Sequence, residues 1–218
     1  MSLNAREVKG GGVKADAPVL EPGGYPARLV AVVDLGVHPV EFEGEAKEPA
    51  TQMWHIYEAL DEFMLDEDDE PIPEKPRWFN EEMPLRHISS DRAKSTKRYK
   101  VLDPDMEKGG NWPDLLGTPC TLNLVQNPGK GKNAGRVFMK IDNTAPMRAK
   151  ERDTAPDLVN EPFFFSTEDP DMEVWTKRLP DFIKDRIKSS LEFEGSELEA
   201  ILNEGKEKVT AGDKEEWK

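Results

Sequence analysis

The segment Tyr25–Val37, YPARLVAVVDLGV, constrains the fold more than any other part of the chain. Its central residues are β-branched or apolar without alternation, so both faces of a strand formed here must be buried. Such a strand needs a closed sheet, or a sheet that other elements cover on each side. We therefore expect a mainly β fold in which this segment is a central strand.

Alternating apolar residues predict four further strands. They lie over Thr51–Leu60, Arg77–Leu85, Thr118–Gln126 and Arg136–Ile141. An acidic, proline-broken loop is predicted over Asp66–Pro76, and Ser89 and Ser90 are suitable N-caps for a helix over Asp91–Leu102. A glycine-rich basic hairpin, Asn127–Gly135, joins the last two strands.

Three strands, a helix and two strands joined by a hairpin are the element order of an OB-fold barrel. We therefore predict a five-stranded OB-fold-like barrel over residues 22–145, with the helix between strands three and four. A flexible N-terminal segment (1–21) precedes it, and a linker (146–178) packs back on the core through Phe163–Phe165. An acidic helical C-terminal region and tail (179–218) follow, with a capping box at Ser196 and Glu199.

Few residues are able to do chemistry. The single cysteine, Cys120, indicates a reducing compartment, and the sequence lacks the apolar run of a membrane-spanning helix, so we predict a cytoplasmic protein without membrane association. The three histidines lack metal-ligand spacing, and Gly129–Gly135 lacks the spacing of a phosphate-binding loop. We therefore predict no cofactor, no metal and no enzymatic activity. Glu45-Ala-Lys47, which has the form of an element of metal-dependent nucleases, keeps the enzyme hypothesis open.

The net charge of −14 conceals a strong segregation along the chain. Residues 1–85 carry 7 Lys+Arg and 19 Asp+Glu, residues 86–152 carry 14 and 7, and residues 153–218 carry 9 and 18. The middle block is thus net +7 between segments of −12 and −9. Such asymmetry is typical of a surface that binds a polyanion, although uneven surface charge gives the same counts.

Aromatic and basic residues alternate in this middle block. On the last strand Arg136, Phe138 and Lys140 share one face. The opposite, core-facing side carries Val137, Met139 and Ile141. Single-stranded DNA is bound by stacking bases on rings while cations contact the phosphates, so this face predicts a DNA-binding surface. The other cations assigned to it lie on the hairpin and on one helix face: Lys130, Lys132, Lys94, Lys97 and Arg98.

Two structural questions and one alternative function stay open at this point. If Phe138 faced the core instead, Arg136 and Lys140 would point inward and need buried partners. Three other aromatic residues suit either base stacking or the core: Trp78, Trp112 and Tyr99. A non-enzymatic protein-interaction adaptor, in which the basic block contacts an acidic protein surface, is the alternative function.

Six short runs are distinctive in combination. They are PGGYPARLVAVVDLG (Pro22–Gly36), WHIYEALDEF (Trp54–Phe63), KPRW (Lys75–Trp78), KSTKRY (Lys94–Tyr99), GTPC (Gly117–Cys120) and APMR (Ala145–Arg148). Together they resemble phage-encoded single-stranded-DNA-binding proteins of the OB-fold type, over residues 22–195. The resemblance implies a role in phage DNA replication or recombination in the host cytoplasm, with partner proteins recruited through an acidic tail. Here the tail, Gly212–Lys218, is acidic and aromatic but ends in lysine.

Overall fold

The computed structural model describes residues 18–212, with the side chains of Phe42 and of residues 205–212 excepted. The predicted flexible segment up to residue 17, and the tail from residue 213 with Trp217, lie outside the described residues. None of the helices in the described range is long and apolar enough to span a membrane.

The chain folds around one mainly antiparallel six-stranded sheet. Its strands are β1 (Gly23–Phe42), β2 (Glu45–Leu65), β3 (Pro71–Pro84), β4 (Pro119–Pro128), β5 (Val137–Pro146) and β6 (Phe163–Phe165). The hydrogen-bonded order is β3-β2-β1-β4-β5, and β6 pairs in parallel with β1. The predicted mainly β class is confirmed, and so is the chain order of three strands, a helix and two strands. The strands are longer than predicted because the hairpins continue beyond the core, so β3 already begins inside the predicted acidic loop.

Helices lie beside the sheet and after it. They are α1 (Lys94–Leu102), α2 (Ala149–Arg152), α3 (Met172–Lys177), α4 (Asp181–Lys188) and α5 (Glu197–Gly212). Helix α1 lies between β3 and β4 in the chain, as predicted, but begins at Lys94 and has no side-chain cap. The predicted caps at Ser89 and Ser90 were wrong because the N-cap position is Ala93, and the Ser89 hydroxyl instead pairs with His87 Nδ1 at 2.8 Å. Ser196 does cap α5, since its Oγ accepts from the Glu199 N–H at 3.1 Å.

Strand β1 is buried on both faces, which confirms the expectation from its sequence. One face joins a core that we call the inner core, closed by α1 and the segment after it. Its large members are Leu29, Met53, Tyr57, Phe79, Met83, Tyr99, Leu102, Trp112, Leu115, Leu122, Leu124 and Ile141. The opposite face joins the outer core, formed with the C-terminal region. Its large members are Leu35, Trp54, Ile56, Phe163, Phe165, Trp175, Leu179, Ile183, Ile187 and Leu198.

The segment after β5 packs back on the sheet through two of the three phenylalanines that were expected to do so. Phe163 and Phe165 are buried in the outer core, and Phe164 between them is 38% exposed. Arg28 of β1 donates to the carbonyl oxygens of Ala155 and Pro156, at 3.1 and 2.8 Å. The predicted linker therefore contains β6, α2 and α3.

Candidate nucleic-acid interface

The β4–β5 hairpin carries most of the predicted binding residues. Phe138 is 43% exposed, and Lys130, Lys132, Arg136 and Lys140 are also exposed. The prediction that Phe138 lies outside the core is therefore confirmed. Its pairing partner is Asn127, near the end of β4, where the hairpin has left the inner core. The structure brings these five side chains together on one hairpin.

The core-facing side of β5 is only partly as predicted. Ile141 is 2% exposed and Met139 is half-buried, but Val137 is 38% exposed. Val137 pairs with Pro128 at the start of the strand, where no core lies beneath the hairpin. Side chains still alternate between the two faces of the strand there, but those on both faces are exposed.

A glycine holds the tip of this hairpin tight. A Cβ added at Gly129 lies 2.2 Å from the Asn133 carbonyl oxygen and 3.0 Å from the Phe138 ring, so a larger residue does not fit. The loop folds back where Gly129 approaches Asn133, and Lys130 and Lys132 lie at the exposed end of this loop. The ring of Phe138 thus packs against its own hairpin.

The predicted basic face of α1 has a different environment. Lys97 is exposed, but Arg98 is only 5% exposed, so the expectation that Arg98 contacts DNA at the surface is corrected. Its guanidinium donates to both carboxylate oxygens of Glu81, at 2.8 and 3.2 Å. Lys94 Nζ lies 2.7 Å from the same carboxylate. Two of the three cations therefore neutralise one buried acid.

Glu81 belongs to the inward-facing side of β3, between Phe79 and Met83. Burial by itself raises the pKa of Glu81, but the hydrogen bonds from Arg98 and Lys94 outweigh it and hold that pKa below its ordinary value. Arg98 also donates to the carbonyl oxygen of Asp142 in β5 at 3.1 Å. The buried ion pair thus connects α1 with both β3 and β5.

The structure separates the three aromatic residues that sequence left open. Tyr99 and Trp112 belong to the inner core, at 1% and 7% exposure, whereas Trp78 is 39% exposed. The sequence left Trp78 open between base stacking and the core, and its exposure makes it a candidate site residue. A sequence signal for that exposure was present, because strict alternation in β3 places Trp78 opposite to Phe79 and Met83, which are buried.

Trp78 and Phe138 line the same cleft, which we call the β3–β5 cleft. Its volume is about 500 Å³. The residues around it are Pro18, Val19, Arg77, Trp78, Phe79, Gly135, Arg136, Val137, Phe138 and Met139. Arg77 donates to the Pro18 carbonyl oxygen at 2.7 Å and so holds the incoming chain at the rim. The described part of the predicted flexible segment is therefore anchored.

His55 of β2 is a buried residue that the predicted surface does not use. It is 0% exposed, its ring lies 4.3 Å from that of Trp112, and neither ring nitrogen has a hydrogen-bond partner among the described residues. Burial lowers the pKa of His55 to about 4, against the opposing effect of Glu81. Burial also raises the pKa of the Cys120 thiol to about 12, so this thiol is not a reactive nucleophile.

The nuclease-like element lies at an exposed hairpin tip. Glu45 and Lys47 lie at the tip of the β1–β2 hairpin, exposed and paired with each other. Within the described range, no group of three or more His, Cys, Asp or Glu side chains is arranged to hold a metal ion. The arrangement at this tip is that of a solvated ion pair.

Comparisons with protein-family models, with curated proteins and with solved structures found no match to this chain. The function must therefore be inferred from the surface itself, by the chemistry of its exposed side chains.

Proposed function

We propose that this protein binds single-stranded DNA through the β4–β5 hairpin, without enzymatic activity of its own. The observation that carries the proposal is the exposed ring of Phe138 between exposed Arg136 and Lys140, with Lys130 and Lys132 at the hairpin tip. Rings stack on bases of any sequence while cations contact the backbone phosphates, so such a surface binds without strong sequence preference. In a chain of net charge −14, this concentration of cations favours a polyanionic ligand.

We propose further that the first five strands form an OB-fold-like barrel. The edge strands of the sheet are β3 and β5, and two observations support their approach to each other. Arg98 hydrogen-bonds to Glu81 of β3 and to Asp142 of β5, and one cleft is lined by both strands. In OB folds the loop between the last two strands contacts oligonucleotides, which is the position of this hairpin.

The cellular role that we propose is protection of single strands in phage DNA replication or recombination, in the host cytoplasm. Replication or recombination proteins are the proposed partners of the C-terminal region. The outer surface of that region offers a contact, because Phe182 is 62% exposed beside Trp54 and Leu191 is 58% exposed. The same observation supports the adaptor as a second candidate function.

The proposal is tested by titrating the purified protein with an oligothymidine and with an abasic oligonucleotide of equal length. We expect the oligothymidine to bind more tightly, because the abasic strand keeps the phosphates and loses the stacking, worth about 1–3 kcal/mol per base. The affinity for oligothymidine should fall linearly with salt on a log–log plot, with a slope of about −0.7 per phosphate neutralised.

Two results contradict the proposal. Equal affinity for the two strands means that the hairpin attracts any polyanion, which is what the adaptor function predicts. Absence of binding at low salt excludes a DNA-binding role altogether.

A further inference from the structure

The β3–β5 cleft has an exposed aromatic ring from each of two strands that are far apart in the sequence. Trp78 is 39% exposed and Phe138 is 43% exposed. The cleft volume of about 500 Å³ lies within the range of about 300–1,000 Å³ that is usual for small-ligand sites. The cleft is therefore large enough for a group the size of one nucleotide.

The Trp78 side chain is held in place before any ligand binds. Its Nε1–H donates to Glu58 Oε2 at 3.1 Å, and the same carboxylate accepts from the Val159 N–H at 2.7 Å and from Asn160 Nδ2 at 2.6 Å. An indole N–H lies in the plane of the ring, so this hydrogen bond fixes an edge and leaves the π face for stacking. A ring that is already ordered loses less conformational entropy when a base stacks on it.

The charge around the cleft favours an anion. Two arginines, Arg77 and Arg136, line it, and none of its lining residues within the described range is acidic. Each of three other surface clefts includes carboxylates, for example Glu192, Glu173 and Glu41. Arg77 is 8% exposed and donates to the Pro18 carbonyl oxygen, with Glu62 among the charges that act on it, so the lining arginine that faces solvent is Arg136. In a chain that is strongly acidic as a whole, an exposed arginine in this cleft favours a phosphate-bearing ligand.

We propose that the β3–β5 cleft binds one unstacked nucleotide of the DNA strand, with its base in contact with both Trp78 and Phe138. This inference rests on the proposed function and extends the path of the DNA from the β4–β5 hairpin onto β3. The ligand chemistry is a nucleobase with an adjoining phosphate, because the rings supply stacking and the exposed Arg136 supplies a positive charge beside them.

Tryptophan fluorescence during titration with oligothymidine tests the inference. Trp54, Trp112 and Trp175 are at most 7% exposed, so Trp78 dominates the accessible signal of the described residues. Trp217 lies outside that range and is replaced by phenylalanine in every protein used. We expect the oligothymidine to quench the fluorescence, and Trp78→Phe to abolish the quenching while keeping most of the affinity, since phenylalanine also stacks.

Affinity measurements distinguish one base that contacts both Trp78 and Phe138 from two bases that each contact one ring. Trp78→Ala should weaken binding by about 5-fold to 150-fold. The loss in the double variant Trp78→Ala/Phe138→Ala should be smaller than the product of the two single losses, because both rings contact one base. Phe164→Ala is the control, since this ring is exposed to a similar degree in a different cleft and should leave affinity unchanged.

Each contrary result has its own meaning. Unchanged affinity in Trp78→Ala, with quenching retained in Trp78→Phe, overturns the inference while the unmodified protein still binds DNA. If the affinity loss of the double variant equals the product of the two single losses, the two rings do not contact the same base. If the unmodified protein does not bind the oligothymidine, the proposed function itself fails, and the inference fails with it.

Discussion

Helix α1 and the β4–β5 hairpin each carry several cations within a short span, yet their environments differ. On α1, Lys94 and Arg98 converge on the buried carboxylate of Glu81. On the hairpin, Lys130, Lys132 and Lys140 are exposed and form no ion pair with any described residue. The spacing of cations along an element thus identifies a shared face, but not whether that face meets solvent or a buried acid.

This difference has an energetic consequence. Loss of Arg98 should destabilise the fold, because the buried carboxylate of Glu81 is costly without its partner. Lys130, Lys132 and Lys140 of the hairpin, which are exposed, contribute little to folding and are available for a ligand. Variants in the two regions should therefore separate stability from affinity.

The largest effect is expected from Arg98→Met. Removing the guanidinium leaves Glu81 buried with Lys94 as its remaining partner, and we expect the free energy of unfolding to fall by about 3–5 kcal/mol in denaturant titrations. Lys97→Met, on an exposed position of the same helix, is the matched control and should change it by less than about 0.5 kcal/mol. The double variant Arg98→Met/Glu81→Met should be more stable than Arg98→Met. Full stability of Arg98→Met together with weaker DNA binding would restore Arg98 as a surface contact and erase the difference between the two regions.

The pH dependence of stability tests the buried region around Glu81, to which His55 belongs. The pKa of His55 is about 4 in the folded protein against an ordinary value of 6.5, so the unfolded chain binds a proton that the folded protein does not. Neutral His55 therefore makes its full contribution to the free energy of unfolding above pH 6.5. As the pH falls from 6.5 to 4, that free energy decreases by about 3 kcal/mol in total.

Denaturant titrations at several pH values within this interval measure that loss. His55→Leu should remove most of the slope. A slope that persists in His55→Leu shows that another group titrates in this interval.

The smallest effect on the fold, with a clear effect on binding, is expected from Phe138→Ala. Loss of the exposed ring should weaken binding of oligothymidine by about 1–3 kcal/mol and leave the thermal midpoint nearly unchanged. Phe164→Ala, the exposed phenylalanine of β6, should change neither. If Phe138→Ala instead lowers stability by about 3–5 kcal/mol, measured by calorimetry, the ring acts as core and the hairpin is no longer the ligand-binding region.

Much of the architecture could be predicted because its signals are local. Apolar residues on both faces of Tyr25–Val37 required a doubly covered strand, and the two cores on either side of β1 meet that requirement. Alternation in β5 placed Phe138 among exposed cations, since successive side chains of a strand point to opposite faces. The same alternation misplaced Val137, because it indicates a face and not how far the core extends beneath it.

The sequence by itself determined the mainly β class, the chain order of three strands, a helix and two strands, and the shared face of Arg136, Phe138 and Lys140, all of which follow from periodicities within single segments. Only the tertiary structure decided the role of Arg98, the burial of His55 and the position of Trp78 beside Phe138. Arg98 lies inside because Glu81, 17 residues earlier, faces inward beneath it. Trp78 and Phe138 line one cleft because β3 and β5 approach each other from opposite edges of the sheet order. The exposure and the hydrogen-bond partners of a side chain depend on which distant segments pack against it. No local sequence pattern specifies those segments.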